Sequence, residues 1–224
     1  MNTLFSFFMA FLASFSTMIG YFTIYIKNDK KTVLFISLFI SSLFILFISL
    51  FDLLKEGIKL INNNKNIFII ILFILLGFII TYLINNLINK NDSLYRVGVL
   101  SIISIILHNI PEGMITCISS KISIDLQLKL ILAITLHNIP EGITISIPIY
   151  YSTNSKKKAF IYSFISGFSE LIGYLLCMFI FKNIDINLLG YILLIVVGVM
   201  IYLSIHLFLE SLKYKKEKGS SLLF

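Results

Sequence analysis

Residues Ile67 to Ile80 read IFIIILFILLGFII, fourteen positions without a charge, an amide or a hydroxyl. A transmembrane β-strand alternates apolar and polar residues over about ten positions, whereas this run is apolar on every side, as a lipid-buried helix is. The rest of the chain follows the same pattern: of 224 residues, 58% are hydrophobic and 13% charged, with a mean hydropathy of +0.98. That composition does not describe a soluble surface. At about 20 to 25 residues per span, the chain has room for roughly eight helical passes with short loops, which excludes a tethered soluble enzyme. The fold class is therefore an all-α polytopic membrane protein. The net charge of +7 does not indicate nucleic acid, because the positive residues fall in short clusters between apolar runs rather than on one basic face. No Lys or Arg precedes Lys27, so the first apolar segment lacks the positive start of a signal peptide and is expected to persist as a helix.

Charges and turn residues place seven spans at about Thr3 to Ile26, Thr32 to Leu54, Ile67 to Ile88, Val97 to Ser119, Leu128 to Tyr151, Ala159 to Phe181 and Leu188 to Leu209. This gives a single helical domain over residues 1–212 and a short basic tail over 213–224. Twelve of the 18 positive residues lie on one side: Lys27, Lys30, Lys31, Lys90, Arg96, Lys156, Lys157, Lys158, Lys213, Lys215, Lys216 and Lys218. By the positive-inside rule that side is cytoplasmic and the N-terminus is outside. The brevity of the chain and the lack of targeting features favour a bacterial cytoplasmic membrane as the expected location, with an organelle of an A/T-rich eukaryote as the alternative. The Asn62 to Asn64 run reads as compositional bias.

An ionisable side chain at the bilayer centre costs about 2.5 to 3.5 kcal/mol on insertion scales, so the positions of such residues carry information. All three histidines, His108, His137 and His206, fall in spans, and Glu112, Glu141 and Glu170 sit near the centres of spans four, five and six. Moreover, Leu107 to Gly113 reads LHNIPEG, and Leu136 to Gly142 reads LHNIPEG again. Two identical copies on consecutive antiparallel helices are brought face to face at mid-depth by a twofold axis in the membrane plane. At about 100° per residue, Glu projects between His and Asn of its own copy. One cation held by His108 and His137 can therefore share Glu112 and Glu141 with a second held by Asn109, Asn138 and Glu170. Pro111 and Pro140 supply no N–H, so a kink is expected at each, and Gly113 and Gly142 permit close helix approach. Imidazole with carboxylate suits a borderline divalent transition metal such as zinc, iron(II) or manganese rather than Mg²⁺ or Ca²⁺. Cys117 and Cys177 form no ligand cluster and read as packing residues. Close carboxylates without a cation would hold protons, so proton and metal binding compete and transport is expected to depend on pH.

The two HNIPEG copies, SGFSELIG around Glu170, GVMIYLSIH at Gly198 to His206, FLASFSTMIG near the start and ISLFDLLKEG at the end of span two resemble the ZIP family of divalent-metal transporters, in particular its bacterial broad-specificity branch. The resemblance implies an eight-helix fold with both termini outside, spans four and five carrying the metal site, and inverted repeats on either side. It also implies that His108, Glu112, His137 and Glu141 form the central transport site, with Asn109, Asn138 and Glu170 in the adjacent second site. His206 falls where related sequences often place a polar residue near the metal route, and Asp52 and Glu210 are candidate entrance or exit groups. The sequence departs from the family pattern in three ways: span two has no methionine, the loop Asn89 to Tyr95 has no histidine cluster, and an eighth span is not evident.

The expected function is that of a secondary carrier importing zinc, with iron, manganese and cadmium as further candidates, through a midplane site, the metal being cargo rather than cofactor. The expected partners are the metal ion and the lipid bilayer, with a homodimer kept open and nucleic acid excluded. There is no G-x-x-x-x-G-K-[ST] stretch for ATP. Two other readings compete. In an intramembrane metalloenzyme, a glutamate would follow histidine directly in H-E-x-x-H, a place taken here by Asn109 and Asn138, which cannot act as a base. A metal sensor or subunit would bind metal without flux.

Overall fold

The computed structural model describes residues 3–61, 66–88, 92–180 and 185–215. The Asn62 to Asn64 run, Lys90, the end of span six at Phe181 and the tail beyond Lys215 lie outside them. Among the described residues there is no strand, and seven segments are long and apolar enough to cross a membrane. The first comprises α1 (Thr3–Phe15), α2 (Thr17–Tyr21) and a 3₁₀ turn (Phe22–Tyr25); the second, α3 (Lys30–Ile48), a π-helical turn (Ser49–Leu53) and α4 (Leu54–Leu60). Single helices form the others: α5 (Ile67–Leu87), α6 (Ser93–Ile122), α7 (Ile124–Thr153), α8 (Lys156–Phe179) and α9 (Ile186–Leu212).

Polar side chains set the helix starts. Asp29, Asn66, Asp92, Ser123, Ser155 and Asp185 each accept a hydrogen bond from a backbone N–H of the first turn of α3, α5, α6, α7, α8 and α9. Several helices therefore begin two to four residues before their apolar runs: Asp125, read as a loop residue, lies within α7 and pairs with Lys129 at 2.7 Å. A single residue, the extended Ser123, separates α6 from α7, and Asn154 in the left-handed conformation ends α7 before α8. Turns this short force α6, α7 and α8 to run antiparallel side by side.

Helices α6, α7 and α8 pack with α1 and α2, while α3, α4, α5 and α9 pack together against the other side of α6 and α7. Between the two groups lies a core that includes Leu34, Leu38, Ile45, Leu100, Ile105, Ile145, Leu193 and Leu203, all fully buried. Both prolines of the repeat sit inside continuous helices, α6 through Pro111 and α7 through Pro140. The carbonyl of Pro140 itself accepts hydrogen bonds from Ser41 Oγ at 3.4 Å and Thr144 Oγ1 at 3.5 Å, the first of which ties α7 to α3.

Candidate metal centre

The one-residue Ser123 turn places the two LHNIPEG copies opposite each other, about halfway along two 30-residue helices. The copies engage reciprocally. His108 Nε2 lies 3.3 Å from Glu141 Oε1, and His137 Nε2 lies 2.9 Å from Glu112 Oε1. His108 Nε2 is also 3.3 Å from Glu112 Oε2 of its own copy, so Glu112 spans both imidazoles. All four side chains are buried. His108, Glu112 and His137 each offer a ligating atom within 4.8 Å of the other two, a spacing one metal ion can bridge.

The asparagines turn to the other side, as their 100° offset requires. Asn138 Nδ2 donates to Glu170 Oε2 at 2.8 Å and to the carbonyl of Ala13 at 3.1 Å, while Asn109 Nδ2 donates to the carbonyl of Ser166 at 3.0 Å. With both amide nitrogens engaged, both amide oxygens remain as acceptors. The first span is not one regular helix at this point: α1 ends at Phe15, and the Ala13 carbonyl also accepts the Ser16 N–H (3.0 Å) and Oγ (2.6 Å). Sequence reasoning missed this contribution, because a main-chain carbonyl leaves no trace in residue identity. Helix α8 approaches closely enough to deliver Glu170 because Gly113 has no side chain: a Cβ there would collide with the Glu170 carbonyl oxygen.

Among the described residues, fifteen buried side-chain nitrogen or oxygen atoms lack a hydrogen-bond partner, and nine of them belong to His108, Asn109, Glu112, His137, Asn138, Glu141 and Glu170. Buried polar atoms are normally satisfied, so their concentration in one place marks a site built for something other than internal hydrogen bonds. The donor set is two imidazoles, three carboxylates and two amide oxygens, which suits a borderline divalent cation. Cys117 and Cys177 are buried free thiols in an apolar cluster with Ala10, Met114, Tyr174 and Leu189, apart from this donor set.

A cavity of about 70 Å³ reaches the centre from the side of the α6–α7 turn, lined by Glu112 and His137 at its inner end and by Asp52 and Glu56 on the second span. A second cavity of about 200 Å³ shares Glu56, Ile115 and Leu130 with the first and runs on past Ser119, Ile122 and Leu126. Asp52 lies in the π-helical turn Ser49–Leu53, a local underwinding often found at functional sites. Glu56 is a site candidate that sequence reasoning did not single out, although its spacing of four from Asp52 puts the two acids on one helical face. His206 and Glu210 are not brought to the centre. His206 is partly buried and stacks on Tyr202, with ring centroids 6.2 Å apart. Glu210, 3% exposed, accepts from Ser93 Oγ at 2.9 Å and Lys213 Nζ at 2.6 Å; Ser93 lies about 22 Å along α6 from His108 at 1.5 Å per residue.

Residues 90–223 match the model of a protein family described as the ZIP zinc transporter. A zinc transporter ZupT of Streptococcus mutans serotype c is 33% identical over 222 residues, covering 89% of this chain and 84% of that relative. The ZupT of Chlorobaculum parvum is 31% identical over 231 residues, covering 91% and 86%. A third relative, the ZupT of Clostridium perfringens, is 46% identical over 118 residues, a match to 52% of this chain and 41% of the relative.

Proposed function

The chain belongs to the ZIP family of zinc transporters, and on that premise we propose that it carries a divalent transition-metal ion across the bilayer through the paired LHNIPEG centre. The observation that carries this reading is the reciprocal approach of His108 to Glu141 and His137 to Glu112 at mid-helix. One cation is held by His108, Glu112, His137 and Glu141. A second, sharing Glu112 and Glu141, takes the amide oxygens of Asn109 and Asn138 and the Glu170 carboxylate. Zinc leads the candidate cargoes, as the names of the relatives suggest, with iron(II), manganese and cadmium to be ranked against it.

Asp52 and Glu56 form the approach, since both line the cavity that ends at Glu112 and His137, and acids along a low-dielectric passage concentrate cations before binding. If the lysine-bearing loops face the cytoplasm, this passage opens outside and transport is import. The ion is cargo, and the chain works as a carrier rather than an enzyme. Imidazole and carboxylate bind metal in their deprotonated forms, so protons compete with loading, and uptake is expected to fall as the medium is acidified.

The test is metal uptake into proteoliposomes with zinc, iron(II) and manganese, comparing the native chain with a Glu112→Gln, Glu141→Gln double variant. Saturable uptake that the double variant loses is the expected result. Stoichiometric binding by the native chain without flux would overturn the carrier reading in favour of a sensor.

A further inference from the structure

Six lysines gather at the opposite end of the molecule from the Asp52 passage. Lys27, Lys30 and Lys31 lie on the connection into α3 and its first turn, and Lys156, Lys157 and Lys158 form the first turn of α8; all six are exposed. Two contacts join the groups into one patch. The Lys156 ammonium sits 4.4 Å from the centroid of the Tyr25 ring, and Lys30 Nζ lies 3.5 Å from the carbonyl oxygen of Tyr151 and 5.4 Å from its ring centroid. The placement works against the local backbone. Both helices begin there, helix N-termini favour negative charge, and neither first turn contains an acidic residue. Asp29, which caps α3, is the acid on the connection. Positive charge concentrated where the backbone prefers negative charge points to an anionic partner.

Beneath the patch, a crevice of about 220 Å³ runs between the 3₁₀ turn, α3 and α7, from Asn28 and Thr32 at its mouth to Ser41 and Pro140 at its floor. Its hydroxyl groups donate inward: Thr23 to the Gly20 carbonyl, Thr32 to Asp29, Ser37 to the Val33 carbonyl and Ser41 to the Pro140 carbonyl. Hydrocarbon is what remains on the walls, chiefly Ile26, Val33, Ile36, Ile40, Ile143 and Ile147. Such a passage does not suit a hydrated ion. Ile26, Ile36 and Ile40 are each about half exposed, at 56%, 47% and 57%, so the crevice opens sideways to the bilayer. From Thr32 to Ser41 it descends about 14 Å, close to one leaflet of a hydrocarbon core about 30 Å thick.

We propose that this is a binding site for one anionic phospholipid, its phosphate among the lysines and one acyl chain in the crevice. The chain end rests on Pro140, next to Glu141, so occupancy braces α7 beside the metal centre. Binding itself does not depend on the transport reading.

The test uses the purified full-length chain in detergent, with lipid occupancy read by native mass spectrometry and thermal stability read alongside, for phosphatidylglycerol and phosphatidylcholine with the same acyl chains. The native chain retains phosphatidylglycerol preferentially. A Lys31→Gln, Lys157→Gln, Lys158→Gln variant, which spares the two lysines that contact tyrosines, loses that preference by a factor on the order of 100. A Ser37→Leu variant, which fills the crevice, loses retention of both lipids, and a Lys121→Gln, Lys129→Gln control at the other end of the molecule behaves as the native chain. Equal retention of the two lipids by the native chain would overturn the proposal. So would unchanged phosphatidylglycerol retention in Ser37→Leu, which would mean a diffuse surface attraction, or equal stabilisation by inorganic phosphate alone, which would mean an anion site without a lipid.

Discussion

Asn138 touches more of the centre than its neutral side chain suggests. Its amide nitrogen donates to Glu170 at 2.8 Å and to the Ala13 carbonyl at 3.1 Å, so it ties α7 to α8 and α1 while leaving Oδ1 for a cation. Asn138→Ala strands a buried carboxylate oxygen of Glu170, at a cost of about 1 to 3 kcal/mol, while the Ala13 carbonyl keeps its hydrogen bonds from Ser16. The expected outcome is a lower melting temperature in detergent and a metal affinity weakened about 10- to 100-fold; unchanged affinity by isothermal titration would show that Asn138 is structural only. Asp52 and Glu56 call for a different readout, because they line the passage rather than the centre. Asp52→Asn with Glu56→Gln should raise the KM of uptake about tenfold at low ionic strength, leaving metal affinity in detergent unchanged. A drop in maximal rate at constant KM would instead place the pair in the transport cycle and not in the approach.

At the scale of the helices, close approach decides whether the carboxylates meet. Gly113 lets α8 press against α6 at the Glu170 carbonyl, and Gly77 lets α5 press against α9 at the Ile195 carbonyl. A methyl group at either place overpacks the crossing and costs about 1 to 3 kcal/mol. Both Gly113→Ala and Gly77→Ala should therefore lower the melting temperature, but only Gly113→Ala should weaken zinc binding, since it alone displaces Glu170. Equal zinc affinity in the two variants would detach Glu170 from the centre. The elements themselves were largely legible: seven apolar runs become seven spans, and the repeated LHNIPEG, polar groups where lipid penalises them, becomes the paired centre. Helix starts were misjudged because caps such as Ser123 and Asp92 let helices extend through charged residues that read as loop. The break at Ser16, the π-helical turn at Ser49–Leu53 and the Ala13 carbonyl were not legible, because each depends on backbone hydrogen bonds that a neighbouring helix or side chain redirects.

For the molecule as a whole, sidedness decides what the geometry accomplishes. The Asp52 passage opens toward the α6–α7 turn, and the lysine patch of α3 and α8 lies at the other end; Arg96, on the same end as the patch, is held by the carbonyl and Oδ1 of Asn85. If the lysine end faces the cytoplasm, as the positive-inside rule proposes, the passage is an outer vestibule and the proposed carrier is an importer. Cysteine labelling can check this with little background, since Cys117 and Cys177 are 2% and 0% exposed. Lys129 and Lys157 are both exposed and stand near opposite ends, and losing the surface pair of Lys129 with Asp125 costs no more than about 0.5 kcal/mol. In right-side-out vesicles, Lys129→Cys should react with a membrane-impermeant maleimide at once, and Lys157→Cys only after permeabilisation. The reverse pattern would turn the vestibule toward the cytoplasm, and the same centre, approached through the same two acids, would then load from inside and work as an exporter.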